Sequence, residues 1–364
     1  MRGLDLLAKA KRVVVKVGTG NLTEGNRLSE RKVSGIVNRI VSLKKEGKEV
    51  ILVSSGAIGA GMTRLGLRER PRDVKQLQAA AAVGQGELMK IYSGLFGRHE
   101  IVVAQVLLTG EDFSGRVRYL NLRNTINTLL KLDVVPVINE NDTVAVDEIK
   151  FGDNDNLSAL VAVNLEADLL LIVSSSGLRT GDPKRDKKAC LVPVVEKITR
   201  EIEAYGGGST ALGSGGMRTK LQAAKKATKA GIPVIVTSLG VDGFVSEDST
   251  LFLAGEGISE REHWLLYTSK PRGVLVVDDG ASKALVERNV SLLASGVVKV
   301  EGSFGKGDTV SITDKRGVEI ARGVSNFSSV DAMKIAGKKS SDISKTLGRK
   351  IAGDIVSRCD MVLV

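Results

Sequence analysis

The chain is poor in the residues on which several large classes of proteins depend. Of its 364 residues only two are cysteine, Cys190 and Cys359, and only two are histidine, His99 and His263. Two isolated cysteines give neither a disulfide framework nor a zinc site, and two separate histidines argue against a His-centred catalytic triad. We therefore expect no metal site built from these side chains.

Aromatic residues are also scarce, at 3% of the chain, which leaves few platforms for stacking nucleic-acid bases. No apolar run approaches the roughly 18 residues that a membrane-spanning helix needs. The N-terminal sequence MRGLDLLAKAKR has neither the apolar core nor the cleavage site of a signal peptide. We therefore expect a cytoplasmic protein with no membrane partner.

The charge balance is basic, with 53 Lys and Arg against 42 Asp and Glu and a formal net charge of +11. Such an excess fits an anionic substrate as well as a nucleic acid. Because the excess is spread along the chain instead of gathered in one patch, it does not by itself indicate nucleic-acid binding.

Most of the chain alternates between strand-like and helix-like segments. Short β-branched runs, such as VVVKV at 13–17, are typical of buried parallel strands. The alternation predicts an α/β fold over residues 1–265, a three-layer sandwich in which helices cover both faces of a mostly parallel sheet. The predicted strands are 13–17, 50–53, 101–107, 134–138, 169–173 and 233–236, and the predicted helices lie at about 33–41, 74–96, 119–132, 157–165 and 217–229.

The character of the sequence changes after about Trp264. Short strands between glycine-rich turns are expected at 274–277, 297–300, 309–313 and 319–323, with one helix near 282–287. This pattern predicts a second, small and mainly β domain at 272–364, with Pro271 in the linker. The segment 240–261 carries no clear pattern.

The most informative stretch is INENDTVAVDEIKFGDNDNLS at 138–158. It holds two clusters of Asn, Asp and Glu, at 139–142 and 153–156, between an apolar strand and a helix. A solvated turn needs fewer such residues, and so polar a loop between apolar elements usually binds a polar ligand. The first cluster also follows a strand, at the edge where parallel sheets bind ligands.

Three glycine-rich segments lie after predicted strands or at the start of a helix: KVGTG, SSGAIGAG and GSGGMRTK. Their backbone N–H groups can approach an anion closely. Lys16 lies inside an otherwise buried strand, which is unfavourable unless its ammonium meets an anion. Neither GxxxxGK[ST] nor GxGxxG occurs, so the fingerprints of P-loop and dinucleotide-binding proteins are missing. The combination indicates phosphoryl transfer, in which positioning and charge neutralisation supply most of the catalysis.

The motifs VVVKVGTG, VSSGAIGAG, INEND, FGDNDNLSA and GSGGMRTKLQAA occur in the order seen in the glutamate 5-kinases of the amino-acid kinase family. The chain resembles that family from about residue 11 to 236, and its tail resembles a PUA domain. The resemblance implies the amino-acid kinase fold. It also implies phosphoryl transfer from ATP, with Mg²⁺ on the ATP phosphates, to the side-chain carboxylate of L-glutamate. The product would be L-glutamyl 5-phosphate, in the first step of proline biosynthesis.

The resemblance further implies roles for individual residues. Lys16 and Lys220 would stabilise the transferring phosphoryl group, with Asp155 holding both lysines. Asp153 would support the same catalytic network. Glutamate would be bound by Ser55, Asp142 and Asn154. The nucleotide would contact Lys16, Ser174, Ser214, Gly215, Gly216, Met217, Arg218, Thr219 and Lys220.

Simpler roles stay open for three of these residues: a helix N-cap for Asp153, a first-turn helix acid for Asp155, and a turn residue for Ser55. One pair also departs from the family pattern. The family usually has Thr-Asp after the strand LLLIV, where this chain has Val173 and Ser174. The departure leaves the base and ribose contacts open, but not the phosphate chemistry.

The expected partners are L-glutamate, proline as a feedback inhibitor, further copies of the chain in a dimer or tetramer, and a glutamyl phosphate reductase. Two other functions stay open. One is a kinase of the same fold for another acid, such as N-acetylglutamate or aspartate, or for a nucleoside monophosphate. The other is an RNA-binding or RNA-modifying protein that acts through the PUA-like tail. The sequence gives neither the role of the tail nor the strength of proline inhibition.

Overall fold

The computed structural model describes residues 2–25, 27–144, 154–182, 186, 188–207, 216–241, 243–255, 257, 260–288, 290–348 and 353–364. The chain divides into two compact units, Met1–Glu260 and Arg261–Val364. Among the described residues, none of the helices combines the length and the apolar character that crossing a membrane requires.

The first unit alternates strands and helices along the chain, as the sequence predicts. Its strands are β1 (Arg12–Val17), β2 (Thr23–Glu24), β3 (Arg27–Leu28), β4 (Glu49–Ser54), β5 (Val103–Leu108), β6 (Val135–Glu140), β7 (Leu169–Val173), β8 (Val194–Val195), β9 (Val234–Thr237) and β10 (Ser249–Phe252). Its helices are α1 (Arg2–Lys9), α2 (Glu30–Lys45), α3 (Ala57–Arg64), α4 (Val74–Gly97), α5 (Gly110–Ser114), α6 (Arg116–Lys131), α7 (Asn154–Asn164), α8 (Arg200–Tyr205) and α9 (Met217–Lys229).

Eight of these strands form one sheet in the order β5-β6-β4-β1-β7-β9-β10-β8. The pairs from β5 to β9 are all parallel, and β10 runs antiparallel to β9. The prediction of a mostly parallel sheet is therefore confirmed. The antiparallel strand β10 lies in the segment to which the sequence assigned no element.

Helices cover both faces of this sheet. Val13, Val15 and Val17 of β1 belong to the apolar core that also contains residues of α2 and α4. Because successive side chains of a strand point to opposite faces, Lys16 projects toward the other face, where α7 and α9 pack against each other. Lys16 therefore lies on the face of the sheet that α7 and α9 cover.

The second unit has a six-stranded sheet in the order β12-β16-β15-β14-β11-β13 and an apolar core of its own. The prediction of a separate, mainly β domain is confirmed. Helix α10 (Glu260–His263) spans the boundary between the units. The further elements of the second unit are a π-helical turn (Trp264–Thr268), β11 (Gly273–Val277), α11 (Asp279–Arg288), β12 (Leu292–Leu293), β13 (Val297–Gly302), β14 (Thr309–Thr313), β15 (Glu319–Ser325), α12 (Ser329–Ile335), α13 (Ser340–Leu347) and β16 (Asp354–Leu363).

Two glycines bring helices α3 and α4 of the first unit into close backbone contact. A Cβ atom on Gly61 of α3 would lie 1.7 Å from the carbonyl oxygen of Ala80, and a Cβ on Gly84 of α4 would lie 1.8 Å from the carbonyl oxygen of Ala57. Both positions therefore require glycine, since any side chain there would collide with backbone. Glycine inside a helix is unfavourable by roughly 0.5–1 kcal/mol relative to alanine, and here that term is outweighed by the close packing.

This contact predicts different outcomes for two glycines of the same helix. Gly84→Ala should lower the free energy of unfolding by about 3 kcal/mol, the upper part of the usual range for overpacking. Gly86→Ala is the matched control, because a Cβ there meets nothing within 4 Å, and it should be neutral or stabilising by roughly 0.5–1 kcal/mol. Urea denaturation followed by circular dichroism measures both, and equal stabilities of the two variants would contradict the packing argument.

Candidate active site

The carboxyl ends of β1, β4, β6 and β7 open onto one cleft of about 530 Å³. After β1 the chain crosses to β4 on one side, whereas β7 pairs with β1 on the other. In open α/β sheets, ligands bind at such a reversal of strand order, outside the carboxyl ends of the strands. The cleft is lined by Lys16, Gly18, Thr19, Gly20, Asn21, Thr23, Gly25, Ser55, Gly56, Ala57, Ile58, Gly59, Met62, Arg70, Asn139, Glu140, Asp142, Asn154, Val173, Ser174, Ser175 and Lys220.

Two lysines from different elements meet one carboxylate at the floor of the cleft. Lys16 Nζ of β1 lies 2.5 Å from Asp155 Oδ1, and Lys220 Nζ of α9 lies 3.0 Å from Asp155 Oδ2. The hydroxyl of Thr219 donates to Asp155 Oδ2 at 2.8 Å. Lys16 is 4% exposed, Lys220 6% and Asp155 not at all. The group therefore carries one net positive charge where its two ammonium groups line the cleft.

The environment of Asp155 keeps it ionised. Burial alone would raise the pKa of this carboxyl, but the ammonium groups of Lys16 and Lys220 outweigh burial and hold the pKa below its ordinary value. Asp155 is also the second residue of α7, where the positive end of the helix dipole favours a negative charge. Asp155 is therefore both an acid in the first turn of a helix and a bridge between two lysines.

The turn after β4 brings backbone N–H groups to the cleft. Gly56 has φ of +110°, a left-handed conformation that favours glycine, and it immediately precedes α3. Ser54 Oγ lies 2.8 Å from the buried hydroxyl of Tyr92 on α4, which fixes the turn from behind. The start of α3 can therefore approach an anion in the cleft without an intervening bulky side chain.

Three carboxamide side chains, from α7, β6 and α4, are hydrogen-bonded in series in another part of the site. Asn154 Nδ2, at the start of α7, donates to Ser55 Oγ at 2.7 Å and to Asn139 Oδ1 at 3.0 Å. Asn139 Nδ2, on β6, in turn donates to Gln85 Oε1 of α4 at 2.9 Å. Two predicted substrate residues, Ser55 and Asn154, are therefore in direct contact.

The third predicted substrate residue, Asp142, lines the same cleft with Arg70. Burial raises the pKa of Asp142 to about 6, and the positive charge of Arg70 offsets part of this effect. Asp142 and Arg70 thus present a carboxylate and a guanidinium to the same space, the two complementary groups that an amino acid with free α-amino and α-carboxylate groups needs.

Some predicted residues lie elsewhere or outside the described part of the chain. Asp153, Ser214 and Gly215 are outside the described residues. Ser174 lines the cleft. At the start of α9, Thr219 contacts Asp155, whereas Gly216 and Arg218 are exposed and, like Met217, are not among the described residues that line the cleft.

Sequence reasoning missed Gln85 and Arg70 and noted Asn139 only as part of a polar cluster. Gln85 did carry a signal, because it lies three and seven residues before Leu88 and Tyr92 on the buried face of α4. A glutamine on an otherwise apolar helix face needs a partner. Arg70 carried no such signal, since its segment 65–73 has no element periodicity.

The arrangement separates two kinds of chemistry within one cleft. Lys16, Lys220 and the turn after β4 present cations and N–H donors, which suit phosphate oxygens. The amides and Asp142 present hydrogen-bonding groups that suit an amino acid. The cleft can therefore hold two anions side by side and neutralise the charge that develops between them.

The chain is similar to known proteins over nearly its whole length. The model of the amino acid kinase family matches residues 11–238, and that of the PUA domain matches residues 273–347. A glutamate 5-kinase of Citrifermentans bemidjiense is 47% identical over 99% of both chains. That of Trichlorobacter lovleyi is 48% identical over 99% of this chain and 98% of its own. Among solved structures, the carbamate kinase of Giardia lamblia is 18% identical, with a TM-score of 0.48 over 68% of this chain and 100% of its own.

The family match covers more than half of the chain, and the relatives align with it from end to end. Their similarity therefore extends over the cleft and over the mainly β unit alike. The chain belongs to the amino acid kinase family and, through its full-length relatives, to the glutamate 5-kinase family.

Proposed function

We propose that this chain transfers the γ-phosphoryl group of ATP to the side-chain carboxylate of L-glutamate. The observation that carries the proposal is the cluster of Lys16, Asp155 and Lys220, which lies in the same cleft as the amino-acid-binding groups. A carboxylate oxygen forms the new bond to phosphorus, the bond to the β–γ bridging oxygen breaks, and ADP leaves with L-glutamyl 5-phosphate as the product. This is the first step of proline biosynthesis.

The reaction needs no general base, because the side-chain carboxylate of glutamate is ionised at neutral pH. Its difficulty is the repulsion between a carboxylate and the ATP phosphates. Lys16 and Lys220 neutralise the equatorial oxygens of the transferring group, and Asp155 holds both ammonium groups in place. We propose that Asp153, Ser174 and residues 214–219 complete the nucleotide site. Mg²⁺ arrives on the ATP phosphates and offsets part of their charge.

At the amino-acid end, Asp142 accepts from the α-ammonium of glutamate and Arg70 faces its α-carboxylate. Asn154 and Ser55 form further hydrogen bonds to the same molecule. The charges of Asp142 and Arg70 and the shared cleft of the four residues support these roles. An N-acetylated acid lacks the ammonium and leaves Asp142 without its partner, so the site favours a free amino acid.

Further properties belong to the same proposal. Proline carries the α-amino and α-carboxylate groups of glutamate, so we propose that it inhibits by competing for Asp142 and Arg70. We also propose a cytoplasmic location, a dimer or tetramer, delivery of the unstable product to a glutamyl phosphate reductase, catalysis by residues 1–265, and a regulatory or RNA-binding role for the PUA-like residues 272–364.

Trapping of the acyl phosphate tests the function directly. Purified protein with Mg-ATP and hydroxylamine should give a hydroxamate from L-glutamate, together with equimolar ADP, and none from N-acetylglutamate or aspartate. Colorimetry of the iron–hydroxamate complex measures the product. Hydroxamate from another acid alone would overturn the substrate, and none from any acid would overturn carboxylate phosphorylation.

The raised pKa of Asp142 predicts how glutamate use varies with pH. Below about pH 6 the carboxyl is protonated and no longer attracts the ammonium. Between pH 7 and pH 5, kcat/KM for glutamate should therefore fall about tenfold, as expected for one group titrating with this pKa. Asp142→Asn should show a low kcat/KM that does not change over this range. The same pH dependence in the variant as in the wild type would assign the titration to another group.

Asp155→Asn removes the charge that lies between two buried ammonium groups. Removing one partner of a buried ion pair destabilises by about 3–5 kcal/mol, and misplaced lysines should lower kcat roughly 10²–10³-fold. Glu203→Gln is the control, because it breaks an exposed pair with Lys225 and such pairs contribute little. Urea denaturation and steady-state kinetics measure both effects. An Asp155→Asn variant with wild-type kcat would contradict the proposed role.

A further inference from the structure

Gln85 is a buried polar residue that lies behind the cleft and is not among the residues that line it. Gln85 of α4 is 8% exposed and Asn139 of β6 is 2% exposed, and the two side chains are hydrogen-bonded at 2.9 Å. The face of α4 that carries Gln85 otherwise consists of small and apolar residues, together with Tyr92. Methionine or leucine would pack equally well at such a position, so packing alone does not explain a glutamine here.

The hydrogen bonds around Gln85 have a direction. Gln85 Oε1 accepts from Asn139 Nδ2, which leaves Asn139 Oδ1 as the acceptor on the other side of that amide. Asn139 Oδ1 accepts from Asn154 Nδ2 and from the backbone N–H of Glu140. Because a carboxamide has donors on one side and an acceptor on the other, the orientation of each amide fixes that of the next.

The direction of these hydrogen bonds decides which atom of the Asn154 amide is left for a ligand. Its Nδ2 group is engaged by Ser55 and by Asn139. Its Oδ1 is buried and has no hydrogen-bond donor among the described residues. A buried acceptor without a partner is unfavourable by roughly 1–3 kcal/mol. Asn154 lines the cleft, so a ligand that turns this amide slightly toward the cleft can supply the missing donor.

We propose that Gln85 is a positioning residue for the amino-acid substrate. By accepting from Asn139, it orients the relay Gln85–Asn139–Asn154 so that Asn154 Oδ1 is kept as an acceptor for the α-ammonium of the substrate. This inference rests on the proposed function and adds a residue that contacts neither substrate. The ammonium has three donors, of which Asp142 takes one and Asn154 Oδ1 another.

Loss of the Gln85 acceptor weakens the orientation of the relay. Asn139 Nδ2 is then buried without an acceptor, and Asn139 is held only through its Oδ1, by the backbone N–H of Glu140 and by Asn154 Nδ2. Asn139 and Asn154 are then less well fixed, and Asn154 Oδ1 is less often placed to accept from the ammonium. Glutamate binding weakens as a result, whereas the lysine cluster and its phosphate chemistry are untouched.

The stability of such a variant separates this role from a structural one. Gln85 Nε2 is itself buried and has no hydrogen-bond partner among the described residues. Gln85→Met removes this unsatisfied group while it deprives Asn139 Nδ2 of its acceptor. The two changes offset each other, so the thermal midpoint should stay within a few degrees of the wild type.

The experiment uses the full-length chain with five variants, of which one is Asn139→Leu and one combines Asn139→Leu with Gln85→Met. Gln85→Met should raise KM for glutamate about tenfold and leave kcat and KM for ATP within twofold. Gln85→Glu keeps an acceptor oxygen and should return KM to within about threefold of the wild type. Gln76→Met, an exposed glutamine of the same helix, is the control and should change nothing. If Gln85 acts through Asn139, Gln85→Met should add less than twofold in an Asn139→Leu background.

The outcomes distinguish the relay from the proposed function. A wild type that forms no hydroxamate from glutamate contradicts the function before any variant is compared. An active wild type with unchanged KM in Gln85→Met contradicts the relay alone. Equal losses for glutamate and ATP, or additive effects of Gln85→Met and Asn139→Leu, also overturn it, since they describe a general disturbance of packing.

Discussion

The bridge that Asp155 forms between Lys16 and Lys220 is the interaction on which the rest of this molecule depends. It joins β1, α7 and α9, three elements that are distant in sequence, with almost no exposure of the charged groups. Burying one carboxylate and two ammonium groups is unfavourable unless the charges are paired. The three groups together carry one net positive charge, and both ammonium groups line the cleft. In the proposed function, this bridge holds both lysines where they meet the transferring phosphoryl group.

The other end of the cleft differs in its chemistry from the lysine cluster. There the groups are mostly neutral amides, with Asp142 as an acid of raised pKa and Arg70 as its counterpart. Neutral amides select by direction of hydrogen bonding instead of by charge, which suits a substrate that carries both signs. Helix α4 supports this end from behind. It approaches α3 through Gly84, holds Ser54 through Tyr92 and orients Asn139 through Gln85.

Much of this organisation could be predicted from the sequence, because it depends on local patterns. The β-branched run around Lys16 indicates a buried strand, and the Asn-Asp cluster at the start of α7 indicates a polar site beside a helix. The amide relay could not be predicted in the same way, since Gln85 and Asn139 are 54 residues apart and meet only in the folded sheet. The short strand β10 was missed because STLF at Ser249–Phe252 has too few residues for a recognisable period. Arg70 lies in a segment without periodicity, so its position beside Asp142 is evident only from the lining of the cleft.

The central claim is that the side-chain carboxylate of glutamate attacks the γ-phosphorus of ATP between the two lysines. Glutamate labelled with ¹⁸O in both side-chain oxygens tests it, in the presence of hydroxylamine. Hydroxylamine attacks the acyl carbon, so the released phosphate keeps the bridging oxygen of glutamate. Mass spectrometry should find one ¹⁸O atom in each phosphate released with ADP. Unlabelled phosphate would show that water attacks the γ-phosphorus, and it would contradict the account.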